Sequence, residues 1–270
     1  MNSKYEIESA TVSQLSDINA QGVAVLVELQ HHGNYRNYPT AHQRLLANQI
    51  LTLDGELFIP VGEWWVHTED NRALRPEETQ ALQAKGVADF DSAGRPIHPW
   101  YKTLSQNPEF RFACGKGSYY EWGPNYTADP IVMRYDLDEP QVLLIERSDN
   151  GKWALPGGFL DPGESGLGAA RREAWEETGI LIPENSDATL TYQGVVADPR
   201  TTLHAWPETT AVRFDLPDEF AATLPTGVWE GSDDAKRVTW APVSGLSKLL
   251  FGSHVALIQQ ALEETSQWRP

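Results

Sequence analysis

Glu173, Glu176 and Glu177 stand at i, i+3 and i+4 in Leu167–Gly179, a stretch that reads as a helix closing on its glycine. That spacing puts three carboxylates on one face, where they repel one another and gain nothing for helix stability. Arg172 falls in register with Glu176 and offsets only part of the repulsion. Leu167, Ala170 and Ala174 make an adjoining apolar stripe suited to packing on a sheet. Carboxylates clustered beside a buried stripe suit a hard divalent cation, which prefers oxygen ligands. A solvated, salt-bridged surface is the ordinary fate of such a helix face, so the flanking residues decide.

The loop before the helix decides for chemistry. Pro156-Gly157-Gly158 allows a close backbone approach, and Pro162-Gly163 makes a second turn before Glu164. Turns of this kind present main-chain carbonyls to a metal or amides to a phosphate. Three strand-like segments follow the helix, at 189–196, 209–216 and 236–243, and two precede it, at 130–135 and 141–148. Residues 244–266 close the chain with one or two helices. Strands around a polar helix, with terminal helices, give an α/β layered domain.

The N-terminal part is less regular. Residues 22–29 read as a buried strand, 40–51 as a helix, 57–65 as extended and 75–86 as a short helix ending on Gly86. Residues 89–101 are aperiodic and suit a linker or docking arm, placing the boundary between 100 and 125; we divide the chain into 1–105 and 106–270. His31, His32 and His42 lack the spacing of a metal site, and Gly115-Lys116-Gly117 is better read as a turn than a nucleotide loop.

Composition narrows the partners. With 21 Lys+Arg against 38 Asp+Glu the formal net charge is -17, which repels nucleic-acid phosphates and anionic lipid. Residues 1–90 carry 6 basic against 12 acidic side chains and no basic stripe. A single cysteine, Cys114, excludes an internal disulfide, and Met1–Ser9 has no leader character, so the expectation is a cytoplasmic protein. The Asn125-Tyr126-Thr127 sequon then carries no glycosylation meaning. An acidic chain acting on an anion needs a local cation.

Gly158, Glu164 and Arg172-Glu173-Ala174-Trp175-Glu176-Glu177-Thr178-Gly179-Ile180 together resemble the Nudix box at every defined position over 23 residues. The resemblance implies a Nudix α/β/α sandwich with a mixed sheet, beside a smaller N-terminal α+β cap region. It implies hydrolysis of a nucleoside diphosphate linked to another moiety, with Mg²⁺ or, as substitute, Mn²⁺. Glu173, Glu177 and Glu176 would be the metal ligands, with the Gly158 carbonyl, while Glu164 holds Arg172 or helps a second metal.

Flanking stretches are similar to the subgroup of mitochondrial ADP-ribose pyrophosphatases and the Nudix-like domain of the ADP-ribose-gated channel. They are Trp122–Pro130, Asp198-Pro199-Arg200 with Ala205–Thr209, Gly231–Ala235 and Gly252-Ser253-His254. This similarity implies ADP-ribose contacts from the Asn125-Tyr126-Thr127 turn, Asp198 and Arg200, with Trp206 lying between two of the stretches. Glu208, Asp233 and Asp234 are the candidates for a general base. The reading is therefore hydrolysis of ADP-ribose to AMP and ribose 5-phosphate. Its alternatives are a nucleotide sugar, a dinucleoside polyphosphate or NADH as substrate, or an ADP-ribose-sensing module. The partner is a small nucleotide, with neither nucleic acid nor membrane; oligomeric state is left open, a monomer being preferred.

Overall fold

The computed structural model describes residues 51–266 apart from 54–55, 62–63, 68–71, 108–111, 118, 149–150, 199, 247–249 and 251–252. The strand expected at 22–29, most of the helix expected at 40–51, His31, His32, His42 and Pro199 lie outside the described residues. By its contacts the chain forms two units. Among the described residues one holds Tyr126–Gly194 and those from Thr209 onward; the other holds Leu51 to Asn125 with Val195–Glu208.

Strands β1 (Leu51–Leu53), β2 (Glu56–Val61), β3 (Trp64–His67) and β4 (Ala113–Cys114) make a four-stranded sheet in that order. The extended stretch expected at 57–65 is thus a hairpin, β2 antiparallel to β3 with Pro60 opposite Trp65. Helices α1 (Pro76–Ala84) and α2 (Tyr101–Leu104) accompany it in sequence. Pro76 opens α1, where its missing N–H is no loss, and Glu78 accepts the Arg75 N–H at 2.9 Å. The aperiodic stretch 89–101 is tied down rather than free: Phe90 bridges Pro96, and His204 Nδ1 meets the Pro96 carbonyl at 2.7 Å. Leu74, Leu82 and Trp122 form a small core with Val87 and Phe90.

The remaining elements are β5 (Gly123–Arg134), β6 (Gln141–Arg147), β7 (Trp153–Ala154), β8 (Gly158–Phe159), α3 (Gly166–Thr178), β9 (Asp187–Val195), β10 (Ala205–Asp215), α4 (Asp218–Ala221), β11 (Trp229–Glu230), β12 (Ala235–Pro242) and α5 (His254–Ser266). Eight strands form one mixed sheet with main order β11-β12-β6-β5-β10-β9; β7 pairs with β6 and β8 with β5. Helices cover both faces, and side-chain alternation along β10 shows why. Val212 and Phe214 point into the core with Ala169, Ala170 and Ala174 of α3. Arg213, between them, points the other way and donates to the Ala261 carbonyl of α5 at 2.7 Å. On the α5 side Gln260 also donates to the Thr191 carbonyl of β9 at 2.6 Å. Among the described residues no helix is long and apolar enough to cross a membrane.

Helix α3 has the boundaries its sequence announces. Ser165 caps it, its Oγ accepting the Gly168 N–H at 3.1 Å, and Gly179 closes it at φ 74°. Its buried stripe is narrower than expected: the alanines are buried, but Leu167 is exposed. Small side chains let the helix sit close to the sheet, which brings the backbone of its charged face near the preceding turn. A Cβ at Gly179 would meet nothing within 4 Å, so only backbone conformation opposes a side chain there. Gly179→Ala should therefore cost about 1–2 kcal/mol of stability with an unchanged denaturant slope, as measured by urea unfolding; an unaltered midpoint would refute the assigned cap.

Candidate active site

Three of the four box acids meet at one guanidinium. Arg172 donates Nε and Nη2 to the two oxygens of Glu164 (3.0 and 2.8 Å). Its Nη1 donates to Glu173 at 2.7 Å and Glu176 at 2.8 Å, and Nη2 also donates to the Phe159 carbonyl at 2.9 Å. These contacts raise the Arg172 pKa above its ordinary value, Glu164 contributing most, and hold the Glu164 carboxyl below the usual carboxylate range. Glu164 also accepts the Asp161 N–H at 3.0 Å, which shapes the second turn.

Glu177 stands apart from that network. It is buried, and its Oε2 accepts the Gly157 N–H at 2.8 Å. Burial pushes its pKa up to about 8; the Gly157 amide and Arg147 act against the rise, and the charges of Glu173 and Asp234 add to it. Glu173 is raised chiefly by burial too, with Arg172 opposing and Glu176 and Asp233 reinforcing. A Cβ on Gly158 would lie 2.5 Å from the Glu173 Oε1, so the backbone at that position packs directly on the Glu173 carboxylate. Among the described residues no three His, Cys, Asp or Glu side chains are gathered closely enough to hold a metal ion by themselves. The donor set itself is all oxygen and partly desolvated, which fits a hard divalent cation.

The sheet brings further residues to this turn. Register pairs Thr127 with Phe159 and Ala128 with Gly158, and Leu160 N–H donates to the Tyr126 carbonyl at 3.0 Å. The segment expected as a turn at 125–127 is therefore strand, since β5 begins at Gly123. Tyr126 is part-exposed on it. An open recess of ≈ 520 Å³ adjoins the helix, lined by Trp175, Glu176, Gly179, Ser232 and Asp233. Ser232 anchors its far side by bonding to the carbonyls of Glu176 and Glu177, and Asp233 sits in the left-handed region at φ 51°. Trp175 had no role in the sequence reading; its signal is an aromatic on the helix face opposite the buried alanines, 54% exposed.

The other expected residues lie in the second unit. Arg200 grips Asp198 through Nε (3.0 Å) and Nη2 (2.8 Å) and stands over the Tyr119 ring at 5.6 Å. Trp206 is buried, its Nε1 donating to Glu208 at 3.0 Å. The Asn125 amide closes the turn before β5, exchanging bonds with the Glu121 backbone at 2.9 Å.

A family model described as the NUDIX domain matches residues 127–260. The chain is 34% identical over 201 residues to the mitochondrial ADP-ribose pyrophosphatase of Rattus norvegicus, covering 63% of this chain and 54% of that protein. It is 33% identical over 196 residues to a transient receptor potential cation channel subfamily M member-like 2 of Nematostella vectensis, covering 62% of this chain and 12% of the channel. The ADP-ribose pyrophosphatase of Methanocaldococcus jannaschii is 36% identical over 131 residues, 47% of this chain and 68% of that protein. The chain thus spans about half the length of the rat protein it matches.

Raised carboxyl pKa values have a definite sign in stability. With a folded pKa of about 8, Glu177 destabilises the fold progressively as pH rises from its unfolded value toward 8. A divalent cation, if held at these acids, would offset that loss. The gain in Tm on adding Mg²⁺ to chelator-treated protein should thus be larger at pH 8 than at pH 5.5; equal gains in a thermal scan would contradict the burial assigned to Glu177.

Proposed function

Since the chain belongs to the NUDIX family, we propose that it hydrolyses the pyrophosphate bond of a nucleoside diphosphate derivative, with ADP-ribose yielding AMP and ribose 5-phosphate. The observation that carries this reading is the turn-plus-helix unit itself: Arg172 gathers three acids while Glu177 and the Gly157-Gly158 backbone close on the same spot. Two of the similar proteins are named ADP-ribose pyrophosphatases, which supports the choice of substrate.

Glu173, Glu177, Glu176 and the Gly158 carbonyl would hold Mg²⁺, with Mn²⁺ as a substitute. When bound, the cation neutralises phosphate charge and lowers the pKa of attacking water. The protein's own groups do the rest. Arg172 keeps the acids from splaying apart, and Asp234, Asp233 or Glu208 accepts the water's proton. Asp198 accepts from ribose hydroxyls, Arg200 and the Asn125–Thr127 segment contact the substrate, and Trp206 supports them. Residues 1–105 form the cap region and 106–270 the hydrolase domain. The chain works in the cytoplasm on a small nucleotide, without nucleic acid or membrane, its oligomeric state open with a monomer preferred.

Initial rates on a panel of ADP-ribose, nucleotide sugars, NADH and dinucleoside polyphosphates with Mg²⁺ test this, with products identified by mass. AMP and ribose 5-phosphate should form fastest from ADP-ribose. Preference for another member discards the substrate assignment, and tight ADP-ribose binding without turnover means a sensor. Glu177→Gln should lower kcat by about 100-fold or more at saturating Mg²⁺. The same variant should melt no earlier than the parent without metal at pH 8, because it removes a buried carboxyl whose ionisation costs the fold. Near-parental turnover would remove Glu177 from the machinery.

A further inference from the structure

Behind the Gly157-Gly158 turn lies a second polar cluster that the metal ligands do not include. Asp129 of β5 is buried, and its Oδ2 accepts the Thr209 hydroxyl from β10 at 2.5 Å. His254, the first residue of α5, accepts the Leu155 N–H at its Nδ1 at 2.8 Å. That bond places the ring proton on Nε2, which faces Asp129 Oδ1 at 3.9 Å. A Cβ at Gly157 would sit 2.5 Å from this same Asp129 oxygen and 2.6 Å from the Ala128 carbonyl. Thus the segment Leu155–Gly158 is held at its start by His254 and closely approached at Gly157 by Asp129. On its far side the Gly157 N–H reaches Glu177 at 2.8 Å.

We propose that Asp129, Thr209 and His254 form a positioning device that sets the Leu155–Gly158 turn, and through it the Gly157 amide and Glu177, for divalent-cation binding. The proposal rests on the hydrolase reading above. Its physical basis is cost. A buried carboxylate and imidazole are expensive unless hydrogen-bonded, and apolar side chains would fill the same space more stably. What this trio does that apolar residues do not is fix one peptide's direction: Leu155 is anchored two residues before the amide that meets Glu177. Three elements, β5, β10 and α5, converge on that single turn. Groups behind metal ligands act in this way on affinity, without touching the ion.

The test is Mn²⁺ binding to the full chain, followed by the EPR signal of free Mn²⁺, beside steady-state kinetics. His254→Leu removes the acceptor for Leu155. It should weaken Mn²⁺ binding by about 10–100-fold and lower kcat, while KM for ADP-ribose at saturating metal changes little. His254→Asn carries an oxygen where Nδ1 stood and should restore most of the affinity. Thr209→Val keeps the shape but removes the Asp129 bond, and should weaken Mn²⁺ binding less than His254→Leu. Parental Mn²⁺ affinity in His254→Leu overturns the positioning role alone, leaving the hydrolase reading intact. If the parent itself binds no Mn²⁺, both fall. Equal weakening in the Leu and Asn variants, with a matching drop in Tm, makes His254 a packing residue and overturns the proposal.

Discussion

One guanidinium keeps like charges together, and the site depends on it. Two carboxylates at about 4 Å repel by roughly 4 kcal/mol at an effective dielectric near 20. Three of them on one turn-and-helix unit would splay without a partner. Arg172 meets Glu164, Glu173 and Glu176 and the Phe159 carbonyl through five N–H···O bonds, one for each of its donors. A lysine, with three donors on a point charge, has no such fork. Because one of those bonds goes to backbone, the same residue that gathers the acids also fixes the strand β8 beside them.

Glu177 obeys a different logic. It receives one backbone amide and no bond from Arg172, and it lies deep enough that its proton is hard to remove. Burial that opposes ionisation is a cost to the folded chain, carried by the alanine-lined core of α3 and the apolar residues of β5, β6 and β10. Each fully buried Val or Leu there contributes about 1.5–3 kcal/mol, so a few such residues offset one misplaced acid. The buried acid marks where stability is given up for something else.

How much of this was legible in the sequence follows from how local each feature is. Helix α3, its Gly179 cap and the Arg172–Glu176 pairing rest on spacing within one segment, and the structure reproduces them; the Arg172–Glu164 pairing came from the family resemblance, and the Ser165 cap was not read. Strand β5 was read seven residues short, because Gly123, Pro124 and Asn125 look like turn-formers. Pairing with β8 and the Asn125 amide overrides that local preference. Leu167 belonged to the apolar period but lies at the exposed first turn, beyond the reach of the sheet. The cluster of Asp129, Thr209 and His254 draws on residues up to 125 positions apart, a distance no motif spans. Only the likeness of Trp122–Pro130, Ala205–Thr209 and Gly252-Ser253-His254 to relatives, each stretch holding one residue of the cluster, hinted at it.

The choice between hydrolysing a nucleotide and merely binding one can be argued from charge. A receptor for a pyrophosphate gains most from cations aimed at it, with backbone amides in support. Of the two arginines in the box, Arg172 is turned onto acids and Arg171 onto the Ile182 and Pro183 carbonyls, and the most buried of its acids is a carboxyl whose own charge burial opposes. Such a surface repels a pyrophosphate and becomes attractive only once a cation is shared between the acids and the anion. An arrangement that needs the cation first is costly for a sensor, which requires affinity alone. It suits a catalyst, in which a cation held by Glu173, Glu176 and Glu177 would both recruit the anion and activate the attacking water.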